Sequence, residues 1–187
     1  QRIKKDVEIF REKNVTLLSE LQAEQQEFGA ISGSMSVTIN GEDMTLQQAA
    51  TLLESQDRAK REEAYRKIQE RRLIEAGSLN NLFSRLIQKR HEIAQNAGFK
   101  NHRDYAFKSM GRFDYTPADC FKFHDSIESA LVPLLHELAQ NRKEALKLDK
   151  LRPWDGKVDT SGKPALKAFN TVEGLLDNSV EAFKRLN

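Results

Sequence analysis

The sequence predicts a mainly α-helical protein: a bundle of long antiparallel helices with one small β-hairpin near residues 35–44. Through most of the 187 residues, apolar side chains recur at alternating steps of three and four, which is the period of one helix face. A period of two occurs around Asn40-Gly41, a pair that favours the left-handed turn of a two-residue hairpin. The chain is long enough for one domain or for a large part of a bigger one.

The first predicted element is a helix over residues 1–28. A narrow apolar seam follows one side of it, and the polar Asn14 occupies one position of that seam. The apolar members of the seam are Ile3, Val7, Phe10, Leu17 and Leu21. A seam of this width predicts packing against a single neighbouring helix. The next segment, FGAISGS, separates this helix from a hairpin whose alternating apolar residues are Met35, Val37 and Ile39.

Residues 45–150 predict a helical bundle with clear start and stop signals. Thr45 and Gln48 have the spacing of a capping box, and Asp57 is a second capping residue that begins a long helix. Gly98 ends that helix, because glycine readily adopts the left-handed conformation found after a helix C-terminus. The apolar face of the long helix comprises Leu79, Leu82, Phe83, Leu86, Ile87, Ile93 and Ala94.

Two more helices complete the predicted bundle. The stretch NHRDYAFKSMG predicts a short helix closed by Gly111, and Thr116-Pro117 predicts the start of a long helix that contains Pro133. We expect the apolar seam of the long helix to be buried. Its members are Cys120, His124, Ile127, Leu131, Leu134, Leu138, Asn141, Ala145 and Leu148.

Residues 151–187 predict a polar loop and a final helix, which Asn170 begins with Glu173 at capping spacing. Gln1 rather than Met opens the chain inside a charged helical pattern, and the last residues, AFKRLN, contain no helix stop signal. We therefore interpret residues 1–187 as a single helical fragment of a longer protein.

The charge balance excludes some classes of partner. The chain has 30 Lys and Arg against 28 Asp and Glu, a net charge of +2, with both signs interleaved. Without a basic stripe for phosphates, we expect no nucleic acid partner. No apolar run reaches the roughly 18 residues of a membrane span, so we expect no membrane partner. The single cysteine, Cys120, forms no internal disulfide and fits a cytoplasmic location.

Two His-Glu pairs match the first half of a zinc-protease motif. The segments RHEIAQN and LHELAQN each contain the His-Glu pair that opens the motif H-E-x-x-H. In that motif, two histidines one helical turn apart bind zinc and the Glu acts on the bound water. The position of the second histidine is occupied by Gln95 and Gln140, and a carboxamide is a poor zinc ligand. We expect His136 to be solvated and His91 to be a packing or hydrogen-bonding residue.

Cys120 and His124 share a helix face and could form half of a zinc site, but two more ligands would have to come from elsewhere. Because both residues lie in the apolar seam, we interpret them as a buried thiol and a core imidazole. We therefore assign no catalytic residue and no metal ligand to the chain.

The stretch RDYAFKSMGRFDYTP is dense in aromatic and charged side chains. Such density is typical either of a substrate-channel wall or of a structural corner that fixes a short helix and a turn to the bundle. The residues concerned are Arg103, Tyr105, Arg112, Phe113 and Tyr115. We favour the corner, and for Trp154 in LRPWD we likewise favour a helix-end anchor over a ligand contact.

Several motifs occur in the order found in one peptidase family. The chain resembles the oligoendopeptidase F branch of the thimet-oligopeptidase-like zinc metallopeptidases. The motifs that carry this resemblance are GAISGSMSVTINGEDMTLQQAATLLESQDR, NHRDY, GRFDYTP and LRPWD. Enzymes of that family are large, mostly helical proteins that close around a deep channel and hydrolyse short peptides. The resemblance implies a zinc-dependent parent peptidase with short peptides as substrates.

In that family, zinc is held by both histidines of an H-E-x-x-H helix and by a Glu from a following helix. These zinc-binding helices lie C-terminal to the segment that residues 1–187 resemble. The resemblance therefore implies a non-catalytic helical portion that contributes scaffold and channel wall, holds no zinc and is inactive alone. The alternative is a helical protein–protein interaction module. If the chain is a fragment, we expect exposed apolar faces and self-association through them.

Overall fold

The computed structural model describes residues 1–163 and 169–186 and is mainly α-helical with one hairpin, as the sequence predicts. In chain order its helices and strands are α1 (Arg2–Ile9), α2 (Asn14–Gly33), β1 (Ser36–Ile39), β2 (Glu42–Thr45), α3 (Leu46–Thr51), α4 (Arg58–Ile74), α5 (Ala76–Asn96), α6 (His102–Ser109), α7 (Pro117–Ala145) and α8 (Val172–Lys184). Two 3-10 turns span Leu52–Glu54 and Pro153–Asp155. The packed body comprises α1 to α6 with the hairpin.

The predicted helix over residues 1–28 is divided into α1 and α2, so this prediction is wrong. Phe10 adopts an extended conformation with ψ of 132°, and the Arg11 guanidinium donates to the Phe10 carbonyl at 2.6 Å. The buried Asn14 donates from Nδ2 to the Ile93 carbonyl at 3.0 Å. The polar position of the seam is thus the residue that joins the start of α2 to the end of α5.

Helix α2 continues through FGAISGS to Gly33, beyond the end that the sequence predicts at residue 28. Ile31 lies between the two hydrophobic clusters of the body and packs against both. This burial offsets the helix propensity lost at Gly29 and Gly33, about 1 kcal/mol for each glycine relative to alanine.

The hairpin forms where predicted, with β1 and β2 antiparallel. Asn40 and Gly41 have φ of 53° and 81°, the left-handed pair that closes a two-residue turn. Thr45 then caps α3, because its hydroxyl accepts from the Gln48 N–H while the Gln48 side chain accepts from the Thr45 N–H. The side chains that the hairpin and the residue before it bury are Met35, Val37 and Ile39.

The long helix predicted from Asp57 to Gly98 is divided into α4 and α5 at Glu75. Asp57 caps α4, and Gly98 follows α5 with a φ of 86°, so both predicted ends are confirmed. The break falls beside Gly77-Ser78, and such pairs are common sites of helix kinks. Because of this break, α4 packs on the hairpin while α5 packs on α2.

Two hydrophobic clusters form the core of the body. The first joins α2, α5 and α6 and contains Leu21, Leu82, Leu86, Ile93, Ala94, Ala97 and Tyr105. The second joins the hairpin, α3 and α4 and contains Met35, Val37, Ile39, Leu46, Ala49, Ala64 and Ile68. Ion pairs from Glu20, Glu24 and Glu27 of α2 to Lys89 and Arg85 of α5 show that these two helices are antiparallel.

Helix α7 begins where predicted, but its seam is not buried. Thr116 Oγ1 accepts from the Asp119 N–H, and Pro117 occupies the first turn. No residue of α7 is buried, because this helix makes few contacts with the rest of the described chain. Its exposed large apolar side chains are Phe121, Phe123, Leu131, Leu134, Leu135 and Leu138.

Helix α8 begins one residue later than predicted, because Thr171 rather than Asn170 is its capping residue and accepts from the Gly174 N–H at 3.0 Å. Parts of the predicted region 151–187, namely residues 164–168 and Asn187, lie outside the described residues. The exposed apolar side chains of α8 and the turn after it are Val172, Leu175, Leu176, Val180, Phe183 and Leu186. No helix within the described part of the chain combines the length and apolar content needed to cross a membrane.

Candidate functional site

The aromatic segment singled out in the sequence comprises most of α6 and the turn that leads into α7. The Arg112 guanidinium is 4.9 Å from the Phe107 ring centre and 5.8 Å from the Tyr115 ring centre. The two rings meet nearly edge to face, with their centres 5.8 Å apart. These contacts hold the turn over residues 110–116 against α6, since a guanidinium is attracted to the face of an aromatic ring.

The other residues of the predicted site have different surroundings. Tyr105 is buried in the first core cluster, where its ring meets the Phe99 ring at 5.6 Å. Arg103 is exposed and pairs with the neighbouring Asp104 at 2.9 Å. Phe113 is partly exposed and lies beside α1. The five predicted residues thus divide into a core residue, a surface ion pair and a corner.

The histidines of the two His-Glu words do not form a metal site. His91 and His136 are both exposed, so the packing role expected for His91 is wrong. Gln140, which stands where a second histidine would be needed, donates to Glu144 at 2.6 Å. Within residues 1–163 and 169–186, no three His, Cys, Asp or Glu side chains are grouped to hold a metal ion. Among the described residues, therefore, no group of side chains fits the zinc that the resemblance implies for the parent protein.

The expected buried thiol and core imidazole of α7 are not found. Cys120 is half-buried, and His124 is exposed with its ring 6.3 Å from the Phe121 ring. Both residues belong to the seam that the described chain leaves uncovered. His102, by contrast, is half-buried at the start of α6, and burial lowers the pKa of its imidazole.

A buried ionic cluster surrounds Asp155 of LRPWD. Its carboxylate is 0% exposed and accepts from Arg58 Nε and Nη2 at 3.0 and 2.9 Å. It also accepts from Arg61 Nη2 at 3.0 Å and from the Arg152 N–H at 2.9 Å. Arg61 is 3% exposed and donates from Nε to the Trp154 carbonyl at 3.0 Å. We call these five residues the Asp155 cluster.

The Asp155 cluster joins the end of α7 to α4. The Trp154 ring lies 5.5 Å from the Tyr65 ring of α4. Arg142, near the end of α7, donates to the carbonyls of Asp155 and Val158 at 3.4 and 2.7 Å. Trp154 is therefore the helix-end anchor that the sequence predicts, although the helix it contacts is α4.

The Asp155 carboxyl keeps its charge in spite of its burial. Burial raises its pKa, but hydrogen bonds from Arg58, Arg61 and the Arg152 N–H outweigh that effect and lower the pKa to about 2. The carboxylate is ionised at neutral pH and balances the buried Arg61 guanidinium. Because protein groups already donate to both of its oxygens, we assign it a structural role.

An apolar groove runs between α2 and α5 and extends to α3 and the end of α4. It consists of two depressions, of about 450 and 430 Å³, that share Phe28 and Leu79 as lining residues. Phe28 and Phe83, two rings that line it, are 56% and 58% exposed. We call these two depressions the Phe28 groove.

Polar and charged side chains also line the Phe28 groove. Arg90 lines the first depression and Arg72 lines the second. Within the described residues, neither guanidinium has a salt bridge or a hydrogen bond. Gln25 and Asn80 add amide groups to the first depression. The sequence did not indicate this groove, because it forms only when α2 continues past Phe28.

One sequence family matches the chain. The model of peptidase family M3 matches residues 51–182. No curated protein sequence matches at the significance required.

Solved structures share the fold. PZ peptidase A with inhibitor 2 matches with a TM-score of 0.91 at 23% identity, over 98% of this chain and 33% of its own. A Bacillus anthracis str. Ames protein assigned as an oligoendopeptidase F matches with a TM-score of 0.89 at 20% identity, over 98% of this chain and 34% of its own. Oligoendopeptidase-F from Enterococcus faecium matches with a TM-score of 0.62 at 20% identity, over 75% of this chain and 28% of its own. The chain thus spans about a third of the length of the solved proteins that it matches.

Proposed function

Because the chain belongs to peptidase family M3, we propose that it is the non-catalytic helical portion of a zinc metallo-oligopeptidase that hydrolyses short peptides. The family match over residues 51–182 carries this proposal. The fold shared over 98% of the chain with PZ peptidase A supports it. In this proposal the zinc ligands and the catalytic Glu belong to another part of the parent protein, and no step of hydrolysis is assigned to this chain.

The proposed contribution of the chain is scaffold and part of a channel wall. The Asp155 cluster supports the scaffold role, because the Asp155 carboxylate accepts from Arg61 of α4 while the Asp155 backbone carbonyl accepts from Arg142 of α7. The aromatic corner around Arg112 supports the same role at the other end of α7. The free Cys120 fits a cytoplasmic location, and we propose neither a nucleic acid nor a membrane partner.

The reading frame that encodes the chain tests this proposal. We expect an H-E-x-x-H motif within the few hundred codons that follow Asn187, on a segment with helical periodicity. A frame that ends or continues over that distance without the motif would contradict the proposal.

We expect the isolated chain to self-associate through the exposed apolar faces of α7 and α8. Large contiguous apolar patches promote association in water. Light scattering on the purified chain should therefore give a mass above that of a monomer. The double variant Leu134→Glu with Leu138→Glu should lower the measured mass towards the monomer, because both side chains are exposed on one face of α7.

His136→Glu is the matched control for this prediction. His136 is also exposed and lies between the two leucines in sequence, which places it on the other side of the helix. This variant should associate as the wild type does. A monodisperse wild-type monomer would show that the apolar faces do not drive association.

The same faces of α7 and α8 favour the second candidate function, a helical protein–protein interaction module. A tight complex with one specific protein, from a reading frame that lacks H-E-x-x-H, would favour this function over the peptidase.

A further inference from the structure

The Phe28 groove combines features that the apolar faces of α7 and α8 lack. It is concave, and its two exposed rings are accompanied by two guanidiniums without ion-pair partners among the described residues. Leu186, after α8, lines a depression of about 400 Å³ with Arg185, but that guanidinium pairs with Glu181 at 3.3 Å. An apolar groove with unpaired guanidiniums is complementary to an apolar ligand that carries negative charge.

We propose that the Phe28 groove binds short peptides in an extended conformation, with the free C-terminal carboxylate at Arg90 and apolar side chains on Phe28 and Phe83. This inference rests on the proposed function, since it supplies the peptidase with a binding subsite in this chain. Arginine suits the carboxylate, because its planar guanidinium matches both carboxylate oxygens. Arg90 is half-buried, so its charge is less screened by water than that of the exposed Arg72.

The length of the groove indicates the size of the peptide. Leu79 and Arg90 both line the first depression and lie eleven residues apart on α5, which corresponds to about 16 Å of helix. An extended peptide rises about 3.3 Å per residue, so about five residues span that distance. The second depression extends the groove beyond Leu79 and accommodates further residues of the peptide.

The amide groups beside the first depression suit a peptide backbone. Gln25 and Asn80 are exposed, and each side chain offers both a donor and an acceptor. An extended peptide presents N–H and C=O groups at regular intervals, which these amides can bind without regard to sequence. Selectivity would then come from the carboxylate and from the side chains that contact the two rings.

Fluorescence anisotropy on the full-length protein tests the subsite. The probe is a hexapeptide with fluorescein on its N-terminus, Phe-Leu at its C-terminus and a free carboxylate, and 1,10-phenanthroline is present to prevent hydrolysis. The wild type should bind it about tenfold more tightly than the same peptide with a C-terminal amide. Arg90→Gln should bind both peptides equally, at the affinity of the amide. Phe83→Ala should weaken binding of both.

Arg85→Gln is the matched control, because Arg85 is on the same helix but pairs with Glu24 and Glu27 of α2. It should keep the tenfold preference. An Arg90→Gln variant that keeps this preference, or a Phe83→Ala variant that binds both peptides as the wild type does, would overturn the subsite.

Thiol labelling distinguishes a peptide site from a surface covered by another part of the protein. In a full-length background in which serine replaces Cys120 and every other native cysteine, the thiol introduced by Phe83→Cys should react with a maleimide, and saturating hexapeptide should slow the reaction. A thiol that is unreactive without peptide would overturn the inference. Arg90-dependent binding in a protein that hydrolyses no peptide would support the subsite and contradict the proposed function. Hydrolysis by a protein whose Arg90→Gln variant binds normally would overturn the subsite alone.

Discussion

Replacing Asp155 with Asn should lower the free energy of unfolding of the chain by about 3 kcal/mol. The Asp155 side chain is 0% exposed and that of Arg61, which pairs with it at 3.0 Å, is 3% exposed. Asn has nearly the same shape as Asp but carries no charge. The Arg61 guanidinium would therefore remain buried without a counterion in contact with it. A buried charge without compensation is among the most destabilising results of a single substitution.

Urea unfolding with two probes measures this effect. Trp154 is the single tryptophan of the chain and belongs to the Asp155 cluster, so its fluorescence reports on the cluster while circular dichroism reports on the helices. Both midpoints should fall in Asp155→Asn. Asp159→Asn is the control, because the exposed Asp159 accepts from Ser161 in the loop, and its midpoint should match the wild type. Equal midpoints for the wild type and Asp155→Asn would contradict the role of the cluster.

The stabilisation that Asp155 provides should disappear in acid. Its pKa is about 2 in the folded chain, below the ordinary value of 3.8. A lowered pKa gives stability that is complete above the ordinary value and is lost as the pH falls through the folded value. The difference in unfolding free energy between the wild type and Asp155→Asn should therefore shrink between about pH 4 and pH 2. A constant difference over that range would show that the carboxylate charge is not its source.

Several helix ends could be predicted because both partners of each contact are close in sequence. Thr45 and Thr116 accept from an N–H three residues later, and Asp57 accepts from Ala59. Gly98 needs only its own left-handed conformation, at a φ of 86°. Such signals depend on local geometry, so the surrounding fold changes them little.

The features that sequence did not predict depend on distant partners. Asn14 interrupts an apolar seam in the sequence, yet its partner Ile93 is 79 positions away. The Asp155 cluster joins residues 94 positions apart through Arg61, and no periodic pattern indicates such a pair. The periodicity of α7 shows that one face is apolar but not which polypeptide covers it, which is why the burial expected at His124 is wrong.

The candidate site was predictable in composition but not in arrangement. The density of rings and charges from Arg103 to Tyr115 marks an unusual segment, and in the structure Arg112 contacts two of those rings. Spacing alone does not distinguish Tyr105, which is buried in the core, from the other residues of that segment. The Phe28 groove requires two helices to meet, so its arginines could not be distinguished from other exposed cations in the sequence.

The 187-residue chain alone should hydrolyse no peptide and bind no stoichiometric zinc. Its His-Glu words continue with Gln95 and Gln140 where a metal-binding helix turn needs a second histidine. Metal analysis after dialysis against zinc should therefore give far less than one equivalent for each chain. The full-length protein should retain one equivalent, because the proposed zinc ligands belong to the rest of the polypeptide.

A quenched fluorescent peptide, assayed in parallel with the isolated chain and the full-length protein, tests most directly whether the catalytic centre lies outside this chain. We expect the full-length protein to cleave it with a kcat on the order of 1 to 10³ s⁻¹. 1,10-Phenanthroline should abolish this activity and added zinc should restore it, while the isolated chain should show no cleavage under either condition. Zinc-dependent cleavage by the isolated chain would contradict the assignment of catalysis to another part of the protein.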